Sequence, residues 1–218
     1  ETIPADAVVV NADVQALARG LFGKAAAPAV RPFPPEERSL SALAASVVAR
    51  PEGFPLARHT VFFSPDYRGE FEELVGARRL PSDPTVYVCA QDRLEPGPLW
   101  GEEAAGEAER FLLLVNAPAT GDSGTNDEDE ARRCQQATFR RLRTCGLELV
   151  TGPEAMKVTD PAAFHRLFPA TGGALYGRAS HGWQASFTRP GARSRIPGLY
   201  LTGGSVHPGP GVPMAALS

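Results

Sequence analysis

Ile196-Pro-Gly-Leu-Tyr-Leu-Thr-Gly-Gly-Ser-Val-His-Pro-Gly-Pro-Gly-Val-Pro-Met-Ala-Ala-Leu217 is the stretch whose reading decides the fold. Leu199 to Thr202 reads as a short buried strand, fed by the turn at Ile196-Pro197-Gly198 and ended by Gly203 and Gly204. Met214-Ala-Ala-Leu217 then reads as the start of a helix, with Pro213 in the first turn where its missing N–H does no harm. Strand, glycine loop and helix N-terminus in that order let backbone N–H groups reach an anion, because a chain without Cβ atoms approaches closely and the helix dipole favours negative charge. The dinucleotide fingerprint GxGxxG is nevertheless not met: Gly209-Pro-Gly211 is followed at the third glycine position by Met214. The residues alone leave two readings open, an anion or cofactor contact and a set of tight turns that merely pack.

Outward from the loop, Ala5 to Asn11 (ADAVVVN) reads as a buried strand, and Asp13 caps a short helix with Val14, Leu17 and Leu21 on one face, closed by Gly23. Residues 24–38 (KAAAPAVRPFPPEER) form a Pro-rich connection and the expected domain boundary. The middle of the chain changes grammar to antiparallel strands and helices. Ser41 to Ala49, His59 to Ser64, Thr85 to Ala90 and Phe111 to Asn116 read as strands, with a turn over Arg50 to Pro55. Asp66 is expected to cap a helix with Tyr67, Phe71, Leu74 and Val75 on one face, and Gln91 to Arg110 to form an acidic loop. The run Asp127-Glu-Asp-Glu130 opens a helix whose stripe is Ala131, Cys134, Thr138, Leu142 and Cys145. Asp160-Pro161 starts another, with Phe164, Leu167 and Phe168 on one face. The fold class expected is α/β (α+β), with a mixed, largely antiparallel sheet.

Composition sets bounds on function. A net charge of -3 over 218 residues argues against a nucleic-acid binder. Phe111-Leu-Leu-Leu-Val115 is far shorter than the roughly 20 residues a bilayer span takes. Cys89, Cys134 and Cys145 have no metal spacing and read as reduced core thiols, so a cytoplasmic location and no metal are expected. The chain opens on Glu1 and stops at Ser218 in the first turn of a helix, which suggests a segment of a longer protein.

The residues Gly172 to Ser218, with Gly203-Gly-Ser205, His207-Pro-Gly209 and Gly211-Val-Pro213 in order, resemble the C-terminal FAD-binding signature of the carotenoid desaturases, the phytoene dehydrogenase family of flavoproteins. Ala5 to Asp13, Val48 to Phe71 and Asp83 to Arg93 resemble further parts of the same family, nearest to its members that act on 1-hydroxycarotenoids. The resemblance implies that residues 1–23 are a returning strand and helix of a Rossmann-like FAD domain, 39–170 a substrate-binding domain and 171–218 a segment contacting FAD. Gly203, Gly204 and Ser205 would lie beside the flavin ribityl and pyrophosphate, and Gly211, Val212, Pro213 and Met214 against the isoalloxazine edge. His207 would either move protons or fix the loop by hydrogen bonding. His181 and Trp183 would either line the substrate site or pack in a core. Phe62, Phe63, Tyr87, Leu113 and Val115 are candidate walls for a long apolar substrate, or core.

What the resemblance further implies is an electron acceptor, quinone or oxygen, and peripheral membrane contact, for which no basic amphipathic helix is visible. The N-terminal βαβ unit with its GxGxxG and ribose-binding acid is missing from these residues. The 218-residue polypeptide is therefore expected to be inactive and to hold FAD poorly. Two rivals remain: an amine-oxidising flavoprotein with an aromatic cage, for which Trp100 and Trp183 are the only tryptophans, and a non-catalytic module of the same fold.

Overall fold

The structure is a computed structural model and describes residues 2–93, 108–124, 128–179 and 185–218. The chain divides into two compact units, residues 1–41, 119–124 and 162–218 (unit 1) and residues 42–118 and 125–161 (unit 2). The class is mixed helix and strand, with a largely antiparallel sheet.

Unit 2 holds that sheet. Its strands are β2 (Ser41–Gly53), β3 (His59–Phe62), β4 (Val86–Ala90), β5 (Glu109–Ala117), β6 (Leu147–Val150) and β7 (Met156–Thr159), in the order β3-β4-β5-β2-β6, with β7 also on β2. The long β2 serves two partners on one edge: Ala44 to Val47 pair with β7, and Arg50 to Gly53 pair with β6. This corrects the expected turn at residues 50–55. Pairing with β6, which has no strong apolar run of its own, carries the strand through Pro51. Helix α3 (Glu128–Thr144) buries Cys134, Ala137, Thr138 and Leu142. Glu128, Asp129 and Glu130 sit in its first turn and Arg141 and Arg143 in its last, each sign matched to the helix dipole. Phe62, Val86, Val88, Phe111, Leu113, Val115, Cys134, Leu142 and Leu147 share one core. Burial, with Glu130, Glu70 and Glu73 nearby, pushes the Cys134 thiol up to about 12, so it is an inert thiol. Cys89 and Cys145 are only partly buried.

The helix expected after Asp66 is shorter and differently faced. Asp66 does cap it, accepting from the Gly69 N–H, but α2 (Tyr67–Phe71) widens into a π-turn over Glu72–Gly76. Leu74 stays inside, the wider turn carries Val75 outward, and Tyr67 in the first turn of α2 is exposed as well.

Unit 1 has little regular structure. β1 (Val8–Val10) and β8 (Leu199–Leu201) pair in parallel, in the register Val8 with Leu199. The expected buried strand at 5–11 is instead exposed, Val9 by 65 %, because a two-stranded sheet leaves its faces open. Asp13 caps α1 (Val14–Ala18) by accepting from the Gln15 N–H. Val14 and Leu17 pack with Ala29, Val30, Leu201 and Val206, while Leu21 is exposed. α4 (Pro161–Leu167) buries only Ala162, and Leu167 and Phe168, expected on an inner face, are exposed. The last helix is α5 (Val212–Ala216), with Pro213 in its first turn. No helix among the described residues is long and apolar enough to cross a membrane.

Candidate functional site

The glycine loop begins where β8 stops and is held at its base from three sides. The Thr202 N–H donates to the Val10 carbonyl at 3.1 Å, which continues the β1 ladder. The Gly203 N–H donates to Ser218 Oγ at 2.8 Å, and Ser218 Oγ donates to the Ala215 carbonyl at 2.7 Å, so α5 folds back on the start of the loop. Ser205, 8 % exposed, accepts from the Val14 N–H at 3.2 Å and so serves the first turn of α1. Val206 has no exposed surface and anchors the loop in the unit 1 core.

Gly203 and Gly211 differ in what their missing side chains allow. At Gly203, φ +114°, a Cβ would lie 2.7 Å from Asn11 Oδ1, so the glycine lets the end of β1 and the loop close on each other. At Gly211, φ +105°, a Cβ would meet nothing within 4 Å, so the backbone there faces open space. Gly211 is also the N-cap of α5 and supplies no side-chain cap bond. Val212 is 86 % exposed and Met214 is exposed too. The sequence-derived residues therefore form one contiguous loop with a packed half, 203–206, and an open half, 211–214. His207 joins them: its N–H donates to the Pro190 carbonyl at 2.8 Å and its ring stacks on Phe187, centroids 5.7 Å apart. His181, Trp183 and Trp100 lie outside the described residues.

Arg189 was not among the expected residues, yet it organises the loop. Only 5 % exposed, it donates through Nη1 to the carbonyls of Tyr176 at 2.8 Å and Gly204 at 3.0 Å, and through Nη2 to that of Arg178 at 2.7 Å. Burial lowers its pKa from the ordinary value, an effect that the charge of Asp13 opposes. Burial likewise raises the Asp13 carboxyl, offset by the Gln15 N–H and by the charges of Arg189 and Arg38. Nothing periodic marks Arg189; the available signal is an arginine in a stretch, residues 161–218, that has no Asp or Glu at all.

The candidate walls separate by strand alternation. Phe62, Leu113 and Val115 point into the core of unit 2. Tyr87 is half-buried and Phe63 is 63 % exposed. Registers Val61–Tyr87–Leu114 and His59–Cys89–Leu112 make cross-strand rows on the face opposite that core, and this open, mostly apolar face was missed. Its signal was the strand alternation in Val86-Tyr-Val-Cys-Ala90, whose inward and outward positions are nearly all apolar. On it, His59 Nδ1 and Tyr87 Oη are hydrogen-bonded at 2.6 Å. Among the described residues no group of His, Cys, Asp and Glu is arranged to hold a metal.

No family model matches the chain. The chain is 54 % identical over all its 218 residues to hydroxyneurosporene desaturase of Rubrivivax gelatinosus, covering 41 % of that protein. It is 43 % identical over its full length to hydroxyneurosporene desaturase of Cereibacter sphaeroides, covering 42 %. Against 1-hydroxycarotenoid 3,4-desaturase of a Flavobacterium species the identity is 32 %, again over the whole chain and 43 % of the relative. The chain thus spans about two fifths of the length of the curated relatives it matches. With the strand, glycine loop and helix start in place and identity running end to end, the chain belongs to the carotenoid desaturase family.

Proposed function

We propose that this chain is part of an FAD-dependent desaturase that introduces a C=C bond into an acyclic hydroxylated carotenoid. The observation that supports this most is the coincidence of the open glycine loop with end-to-end identity of 54 % to a hydroxyneurosporene desaturase. In this reading residues 1–23 and 171–218 serve the cofactor, 39–170 the substrate, and 24–38 link them. Bound flavin would supply the acceptor for a hydride from an allylic C–H, while the neighbouring carbon loses a proton and quinone or oxygen later takes the electrons.

The residues of this chain have supporting tasks. Gly203, Gly204 and Ser205 would hold the loop beside the ribityl and pyrophosphate, and Arg189 fixes the Gly204 carbonyl for that task. Gly211 to Met214 would bring an uncapped helix start towards the flavin ring, where backbone N–H groups would favour the negative charge of the reduced form. His207, whose backbone N–H is held by the Pro190 carbonyl and whose ring stacks on Phe187, positions the loop. The open rows with Val61, Tyr87, Leu112 and Leu114 supply an apolar wall suited to a polyene, which offers no charge to recognise.

The dinucleotide fingerprint and its acid are absent from these residues, so the 218-residue polypeptide will not retain FAD tightly and will be inactive. The test purifies this polypeptide and the longer protein that carries it. The longer protein is expected to show a stoichiometric flavin spectrum and to desaturate a 1-hydroxycarotenoid; oxidation of amines in its place would overturn the assignment. A stoichiometric flavin spectrum from the 218 residues alone would overturn the retention claim.

A further inference from the structure

We propose that a cleft in unit 1, apart from the glycine loop, binds a phosphate-type anion. The cleft has a volume of about 460 Å³, and none of residues 203–214 line it. Four arginines line it, Arg31, Arg178, Arg193 and Arg195, against a single carboxylate, Glu37. That carboxylate is already taken: Arg178 Nη2 lies 2.5 Å from Glu37 Oε2, and the Arg178 guanidinium stands 6.0 Å over the Phe33 ring. Among the described residues no carboxylate pairs with Arg31, Arg193 or Arg195.

These arginines are not carried on free chain. The Arg195 N–H donates to the Ala29 carbonyl at 2.9 Å, Arg193 bridges to Tyr200 beside β8, and the Leu201 N–H donates to the Ala192 carbonyl at 2.8 Å. Pro32, Pro34 and Pro190 stiffen the same walls. The surrounding charge has no local remedy, since residues 161–218 hold five arginines and no acid, in a chain whose net charge is -3. Guanidinium groups that share the walls of one cleft repel one another, and a multiply charged anion relieves that repulsion. Their planar forks match phosphate oxygens in bidentate pairs, and a carboxylate could satisfy only one of them. Phe33 and the prolines give the cleft an apolar side, which suits an organic ester of phosphate. Its source is either a soluble organic phosphate or the headgroup of a phospholipid.

The experiment uses the longer protein with its flavin bound, so that the proposed flavin site is filled. Inorganic pyrophosphate is titrated by calorimetry, and vesicles of phosphatidylcholine with and without phosphatidylglycerol are tested by co-sedimentation. Binding of either probe is expected to weaken tenfold or more in the Arg193→Ala/Arg195→Ala variant and in Arg31→Ala, and to weaken with added salt. Arg68→Ala, on the surface of unit 2, is expected to change nothing. Loss confined to pyrophosphate identifies a soluble ligand, and loss confined to anionic vesicles identifies the headgroup. Should the double alanine variant fold poorly, Arg193→Lys/Arg195→Lys is expected to keep the charge, lose the forks and bind with intermediate affinity. Absence of binding by both probes, or binding equal in all variants, overturns the proposal.

Discussion

Unit 2 fixes its backbone with strand ladders and a shared apolar core, whereas unit 1 fixes much of its backbone by side chains that reach carbonyls and amides far away in sequence. β2 alone serves as the spine for β5, β6 and β7. In unit 1 the comparable tasks fall to Arg189, Ser205, Ser218 and Arg38. The charges differ as well: unit 1 has nine Lys and Arg against six Asp and Glu, and unit 2 has thirteen against nineteen. A ladder distributes its stability over many equal bonds. A side-chain hub concentrates it in a few, so unit 1 should be sensitive at single polar positions and unit 2 at single apolar ones.

Three substitutions can break or sharpen that contrast. Phe111→Ala opens a cavity in the unit 2 core and is expected to cost about 3 to 5 kcal/mol. Amide hydrogen exchange should quicken in β3, β4 and β5 and leave β1 and β8 unchanged; equal quickening in both would show a single cooperative body.

Asp122→Ala removes the partner of Arg38, which is paired through both carboxylate oxygens at 2.7 Å and is left with only the Ala119 carbonyl at 3.3 Å. The Arg38 side chain is nearly buried but Asp122 touches solvent, so the loss is expected to be about 2 kcal/mol and not the full penalty of a stranded charge. Arg38 holds the Asp122 carboxyl below its ordinary 3.8. The stabilisation is accordingly present above 3.8 and disappears as pH falls through the lower folded value, and a variant without it should show a flatter acid limb in denaturation.

Ser205→Ala deletes the acceptor for the Val14 N–H and is expected to cost about 1 kcal/mol, read by chemical denaturation. A loss near zero would mean that the glycine loop is held by Arg189 without help from α1.

Which features were legible follows from the same contrast. Leu199 to Ala216 could be read because strand, paired glycines and a Pro in a first turn are local signals, and α3 because its caps, charges and apolar stripe agree. β6 and β7 were invisible, since Leu147-Glu-Leu-Val150 and Met156-Lys-Val-Thr159 are short and become strands only through pairing with β2. The outward turn of Val75 depends on one wide helical turn that no propensity announces. Among the candidate site residues, the loop was recognisable from its glycines. Arg189 was not, because its role lies in three carbonyls from residues 11 to 15 positions away. The open face of β3, β4 and β5 was obscured because buried and half-exposed positions there are both apolar.

The pairing of β1 with β8 joins residues about 190 positions apart. On the ribosome, the strands of unit 2 described here have all been synthesised by Thr159, so their pairing can proceed before β8 exists to meet β1. The roughly forty residues that lead on to Leu201 take about 2 to 8 seconds to synthesise. The β1–β8 pairing therefore cannot form until every strand of unit 2 described here has been made, which places it late in the assembly of these residues.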